Sequence, residues 1–142
     1  MSLPGEHIVK SYDEELNRLT GEIQRMGNLA LVELEAAITA VIERDSDAAE
    51  RIIASDKAID ELENEISQDV IRLLALRQPI ARDLREVLAA LRISSDIERI
   101  GDYAANAAKR AIVLASLPAL GSLNGFERMA HLVQENLRAA MD

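Results

Sequence analysis

The sequence predicts an all-α protein: an antiparallel up-down bundle of three long helices with a shorter fourth. Apolar residues recur at three-four spacing along most of the chain, which is the mark of one-sided helices and not of strands. The breaks between the periodic stretches are short, so successive helices are neighbours running in opposite directions. At 142 residues the chain has the length of one domain and buries about two-thirds of its unfolded surface, enough for a core without disulfides.

Leu16, Leu19, Ile23, Met26, Ala30, Ala37 and Val41 draw one stripe, and Ser11 with Glu14 three residues on reads as a capping box. Helix 1 is therefore expected over about residues 11 to 44, roughly 50 Å at ~1.5 Å per residue. Asp45-Ser46-Asp47 supplies the next caps, and Ile52, Ile59, Leu62, Ile66, Val70 and Leu73 trace helix 2 as far as Gln78-Pro79, where continuation is disfavoured. Pro79 is tolerated in a first turn; Leu84, Val87, Leu88, Leu91, Ile97, Ile100 and Ala104 then carry helix 3 toward Leu114. Pro118, Gly121 and Gly125 mark a looser connection before a fourth stripe of Phe126, Met129, Val133, Leu137 and Ala140. A helix of that length with an apolar face lies back on the bundle, swaps into a partner, or belongs to a further domain. Truncation or a swapped dimer is the expectation.

Composition narrows the function classes. There is no cysteine, which removes disulfides, thiolate metal sites and thiol chemistry. Sixteen basic residues against 25 acidic ones give a formal charge of −9, the wrong sign for gripping a phosphate backbone. With Tyr12, Tyr103 and Phe126 as the only aromatics, stacking platforms for bases are missing too, and nucleic acid is not an expected partner. No apolar run approaches the ~20 residues of a bilayer crossing, and the N-terminus lacks the basic-then-apolar order of a secretion signal. A soluble, cytoplasmic protein is expected. Met1-Ser2-Leu3 fits none of these patterns.

No Gly-rich phosphate loop, HExxH or GxSxG is present. His7 and His131 are far apart and read as ordinary surface or bundle-edge residues, and the Glu-x-x-His pairs of di-iron bundles are absent.

What remains is acidic spacing. Asp56 and Asp60 are four apart on helix 2, and Glu98 and Asp102 are four apart on helix 3, so each pair projects from one side of its helix. Counted outward from the Gln78-Pro79 turn, Asp60 pairs in height with Glu98 and Asp56 with Asp102. Leu84, Leu88 and Leu91 continue at three-four spacing into Ser95, Glu98 and Asp102, and Asp56 falls angularly between Ile52 and Ile59. Four carboxylates at the edge of one apolar seam repel one another unless a cation or added protons neutralise them. One reading is a metal site of oxygen ligands for a hard cation such as Mg²⁺, Ca²⁺, Mn²⁺ or ferric iron. The other is a solvated acidic face with Lys57, Arg92 and Arg99 as counter-charges. Gly101, in mid helix 3, costs about 1 kcal/mol against alanine, which asks for close helix approach or ligand access in return. Arg85 and Arg99, single arginines, read as solvated or locally paired, without a phosphate site.

The chain resembles the PhoU family, regulators associated with high-affinity bacterial phosphate transport. The resemblance lies in Asp56-Lys57-Ala58-Ile59-Asp60, Leu74-Ala75-Leu76-Arg77-Gln78-Pro79, Asp83-Leu84-Arg85, Asp96-Ile97-Glu98-Arg99-Ile100-Gly101-Asp102 and Met26-Gly27, motifs spread over three helices. It implies a PhoU-like, spectrin-repeat-like bundle: residues 1–115 as a three-helix repeat, and 116–142 as a linker and the first helix of a second, truncated repeat. It also implies metal ligation by Glu98 and Asp102, which match the family's E/D-x-x-x-D motif, and by Asp56 and Asp60, which match its spacing, with iron, Mg or Mn as the ion.

The function implied is non-enzymatic negative regulation of phosphate uptake and phosphate-starvation signalling. The partners implied are a phosphate ABC transporter ATPase and a sensor histidine kinase, met at the membrane through protein contacts by a homodimer. Two other classes stay open: a metal-dependent phosphoester hydrolase and a purely structural dimerisation bundle.

Overall fold

A computed structural model describes residues 4–76, 81–119, 121 and 123–142, with side chains described over 12–75, 84–119, 121 and 123–142. Its elements are α1 (Pro4–Glu43), α2 (Ser46–Leu76), α3 (Ala81–Ala115) and α4 (Asn124–Met141). Among the described residues there is no strand. The all-α antiparallel bundle predicted from the periodicity is the fold found.

Helix α1 begins seven residues before Ser11, so Ser11 and Glu14 stand inside it and do not cap it. Pro4 occupies the first helical position, where its missing N–H is no loss, and no proline follows to stop the helix before Glu43. The second cap is where the sequence put it: the Ala48 N–H donates to Asp45 Oδ1 at 3.0 Å. Between α1 and α2, Arg44 takes a φ of 56°, a left-handed conformation uncommon for a side chain of its size. In that position its guanidinium donates to the carbonyls of Leu114 at 3.2 Å, Ala115 at 3.1 Å and Leu117. The Leu114 carbonyl also accepts the Leu117 N–H at 3.1 Å, so the guanidinium adds a donor where the last carbonyls of α3 have few, and one arginine ties the α1–α2 corner to the end of α3. The Gln78-Pro79 turn expected between α2 and α3 lies outside the described residues.

The core has two parts of different texture. Toward the α2–α3 end it is aliphatic: Leu19, Met26, Ile59, Ile66, Val70, Leu73, Val87 and Ile97. Toward the α1–α2 corner it is mostly alanine, with Ala37, Ala40, Ala49, Ala104, Ala108 and Ala111 around Ile52, which lets the helix backbones come close. On α3 the buried row is Val87, Ala90, Ser94, Ile97, Gly101, Ala104 and Ala108. Leu84 and Leu88 are exposed, so the row they begin, which continues into Glu98 and Asp102, adjoins the core instead of filling it.

Helix α4 lies back on α1 and, among the described residues, packs on no other helix. Its contact face differs from the expected stripe. Ala130 and Leu137 are buried, whereas Met129, Leu132 and Val133 are exposed. Met141 reaches the aliphatic core and covers Gly27, where any side chain would collide with it; Arg138 pairs with Glu35 of α1. The Met26-Gly27 pair thus has two roles, a core side chain and a seat for α4.

A Cβ at Gly101 would stand 3.0 Å from Ile59 Cδ1 and 3.1 Å from Asp56 Oδ1, while one at Gly125 would meet nothing within 4 Å. Gly101→Val is expected to destabilise the protein by about 1–3 kcal/mol through overpacking. Gly125→Ala, in the first turn of α4, is expected to be neutral to stabilising by about 0.5–1 kcal/mol. Urea melts of both variants against wild type check the contrast.

Candidate functional site

Asp56, Asp60 and Glu63 share one side of α2 because they are four and three residues apart. Ile52, Ile59 and Ile66 on the adjoining side are buried against α1 and α3, which fixes the rotation of α2 and turns the acids toward α3. On α3, Ile97, Gly101 and Ala104 do the same for Glu98 and Asp102. Since Gly101 has no side chain, α3 approaches α2 at the level of Asp56 and Ile59.

The two pairs of acids expected at matching heights come together across the α2–α3 seam. One carboxylate oxygen from each of Asp56, Asp60 and Asp102 lies within 4.8 Å of the other two, and the same holds for Asp60, Glu63 and Glu98. Asp60 belongs to both groups and is exposed, while the other four acids are half-buried. The result is a continuous carboxylate strip along the α2–α3 seam.

One member of the strip, Glu63, and one buried acid behind it, Glu33, were not foreseen from the sequence. Glu63 lies on the same face as Asp60, one turn toward the end of α2. Glu33 stands behind Asp56 on α1, 6% exposed. Its signal was a skipped turn: the α1 stripe runs from Ala30 to Ala37, and Glu33 sits at the apolar position between them. The Ser55 hydroxyl lies 3.2 Å from Glu33 Oε1 and 2.9 Å from the Ile52 carbonyl, with a single proton to share between them.

The electrostatics follow from crowding in a half-dry place. Burial, then the hydrogen bond and charge of Asp102, then Glu63 and Asp60, push the Glu98 carboxyl up to about 7. Burial and the neighbouring Asp56 push Glu33 up to about 7, although the Ser55 hydroxyl opposes the shift. Asp56 is raised by burial and by Asp60 and Asp102, against the pull of the Glu33 hydrogen bond and of Lys109. Glu63 is raised by burial, Asp60 and Asp102.

The counter-charges expected from the sequence do not take up the strip. Arg99 faces Asp96 at 3.9 Å, both exposed, and no lysine or arginine acts appreciably on Glu63 or Glu98. His131 pairs with Glu135 one turn on at 2.9 Å, and both are exposed, as its reading as an ordinary surface residue predicts. Arg85 is exposed.

The residues suit a hard cation. Every donor is a carboxylate oxygen, the chemistry that Mg²⁺, Mn²⁺, Ca²⁺ and ferric iron accept. Once the proton that Glu33 shares with Asp56 is lost, Asp56 Oδ1 and Glu33 Oε2 are buried without a hydrogen-bond donor, the condition that an ion or a proton relieves.

A different buried acid appears eleven residues earlier on α1. Glu22, 2% exposed, is pushed up to about 7 by burial and by Asp69 of α2. Arg18 lies 3.2 Å from Glu22 and 3.7 Å from Asp69, and Arg72 lies 3.5 Å from Asp69.

Fold and seam together define a class: a long-helix bundle that carries an all-oxygen carboxylate strip between its second and third helices. Residues 23–111 match the PhoU domain, and the chain belongs to that family. It is 56% identical over 95% of its length to a phosphate-specific transport system accessory protein PhoU homolog from Xylella fastidiosa strain 9a5c. It is 45% identical over 96% of its length to the homolog of that name from Caulobacter vibrioides strain NA1000. The chain spans 57% and 60% of those two proteins' own length. The crystal structure of PhoU from Pseudomonas aeruginosa superposes on it with a TM-score of 0.89 at 31% identity, covering 92% of this chain and 63% of that one. PhoU from Streptococcus pneumoniae gives 0.83 at 32% identity, with coverages of 92% and 61%.

A pH dependence of stability follows. Glu22, Glu33 and Glu98 keep their protons to about 7 in the folded protein, whereas the unfolded chain releases them near the ordinary value of 4.5. Their contribution is complete below 4.5, declines as pH rises through that window, and is lost above about 7. In chelator, the melting temperature is expected to fall from pH 5 to pH 8. Thermal melts across that range check it, and a rise with pH contradicts the assignment.

Proposed function

We propose that this chain acts as a non-enzymatic regulator of phosphate uptake and of phosphate-starvation signalling. In this reading it is a helical adaptor that meets a phosphate ABC transporter's ATPase and a sensor histidine kinase in the cytoplasm as a homodimer. The observation that carries the reading is the 56% identity, over nearly the whole chain, to an accessory protein of the phosphate-specific transport system. Residues 1–115 are the three-helix repeat of this reading, and 116–142 are a linker with the first helix of a second repeat. The relatives' greater length supports that division.

Surface chemistry supports adaptor work. Leu29 and Val32 are exposed on α1 and, with Ala58 and Leu62 of α2, line an open groove of about 540 Å³; exposed apolar side chains that adjoin in this way suit protein contact. No helix among the described residues is long and apolar enough to cross a membrane, so the route to a transporter is through its protein parts.

In the same reading the α2–α3 seam binds a divalent or ferric ion through Asp56, Asp60, Glu98 and Asp102, with Glu63 completing the outer group. The ion neutralises the strip and joins the two helices. Iron, Mg²⁺ and Mn²⁺ all suit such donors.

Two measurements test the proposal. At Mn²⁺ concentrations 100-fold above Kd, a site present only in the folded state adds about 2.7 kcal/mol; wild type is expected to melt higher with Mn²⁺ than in chelator, and Asp102→Ala to lose that difference. Tagged chain drawn from phosphate-replete cells is expected to bring down the transporter ATPase. Recovery of neither ATPase nor kinase contradicts the adaptor role.

A further inference from the structure

We propose that Glu33 is a member of the ion-binding seam, the carboxylate that α1 contributes to a cation held by Asp56. The inference rests on the reading of the seam as a cation site and extends it from two helices to three.

Glu33 occupies a core position of α1 where an apolar side chain is ordinary, and it is 6% exposed. The Ser55 hydroxyl serves its Oε1. With both acids ionised, its Oε2 and Oδ1 of Asp56 are buried with no donor, and the charges of Asp56 and Asp60 both act on it. Two buried carboxylate oxygens facing each other without a donor are costly. A cation satisfies both while leaving both ionised and also cancels their mutual repulsion, which a bridging water does not. The direct reach of Glu33 is to Asp56, which itself belongs to the Asp60 and Asp102 group.

The other buried acid pair between α1 and α2 provides a comparison within the same molecule. Glu22 Oε2 and Asp69 Oδ2 are likewise buried without a hydrogen-bond partner, but there Arg18 from α1 and Arg72 from α2 stand beside the pair, the usual solution for buried carboxylates. Glu33 and Asp56 form no ion pair among the described residues, and Lys109 acts on Asp56 as the one opposing cation. The same helix pair has arginines at one level and none at the other. The level without them is the level of the seam.

Titration of Mn²⁺ into the full 142-residue chain at pH 7.5, as wild type and as Glu33→Gln, tests the proposal. Glutamine keeps the size of the side chain and removes its charge. Wild type is expected to bind, and Glu33→Gln to bind at least about tenfold more weakly. In chelator the variant is expected to melt at or above wild type, because the facing carboxylates are gone. Equal Mn²⁺ affinity overturns the role of Glu33 and leaves the seam standing, whereas no binding by wild type removes both. If Glu33→Gln does not fold, hydrogen exchange of wild type decides. Mn²⁺ is expected to slow the α1 amides around Glu33 along with those of α2 and α3, and protection confined to α2 and α3 overturns the proposal.

Discussion

The rest of the site depends on how closely α3 approaches α2 at Gly101. With no side chain there, the α3 backbone comes against Ile59 and Asp56, and the acids on the two flanks lie within 4.8 Å of one another in two groups. Two like charges under 5 Å apart at an effective dielectric of ~20 repel by on the order of 3 kcal/mol. The strip holds several such pairs, and a domain of this size has only about 5–15 kcal/mol of net stability. A fully ionised, ion-free strip is therefore a state that the fold resists. Protons held to about 7 on Glu33 and Glu98 are one relief, and the cation proposed for the seam would be another.

The alanine half of the core belongs to the same design. Ala37, Ala40, Ala104, Ala108 and Ala111 bring the helices together just beyond the acids, and the Arg44 guanidinium closes that end by taking up the last carbonyls of α3. The seam thus lies between a tightly drawn corner and a bulkier aliphatic half. This explains why α2 and α3 keep one register over the stretch where their carboxylates meet.

Much of this was legible in the sequence because the controlling patterns are local. Three-four periodicity gives helices, and counting outward from one turn gives the heights of Asp56, Asp60, Glu98 and Asp102, since rise per residue is nearly constant. The misses share a cause: the stripes were traced through large aliphatics. Leu84 and Leu88 drew the α3 row one position away from the small residues that are buried, and Met129 and Val133 drew the α4 row away from Ala130. Glu33 was passed over because a charged residue in an apolar stripe reads as a gap. Only when α2 is placed against α1 does the gap become a carboxylate behind Asp56. Ser11 misled in the opposite way, since a capping signature is permissive and cannot start a helix that nothing upstream prevents from forming.

Helix α1 links the seam to the remainder of the molecule. It packs against each of the other three helices and presents different residues to each within a short span. Glu33 faces Asp56 of α2, and Glu35, two residues on, pairs with Arg138 of α4. Gly27 seats Met141. Two residues in a helix are fixed about 3 Å apart along its axis, so α1 cannot shift at Glu33 without carrying Glu35 and the α4 contact along. One rigid helix therefore carries both the buried acid behind the seam and the seat of α4, whose outer face exposes Met129, Leu132 and Val133.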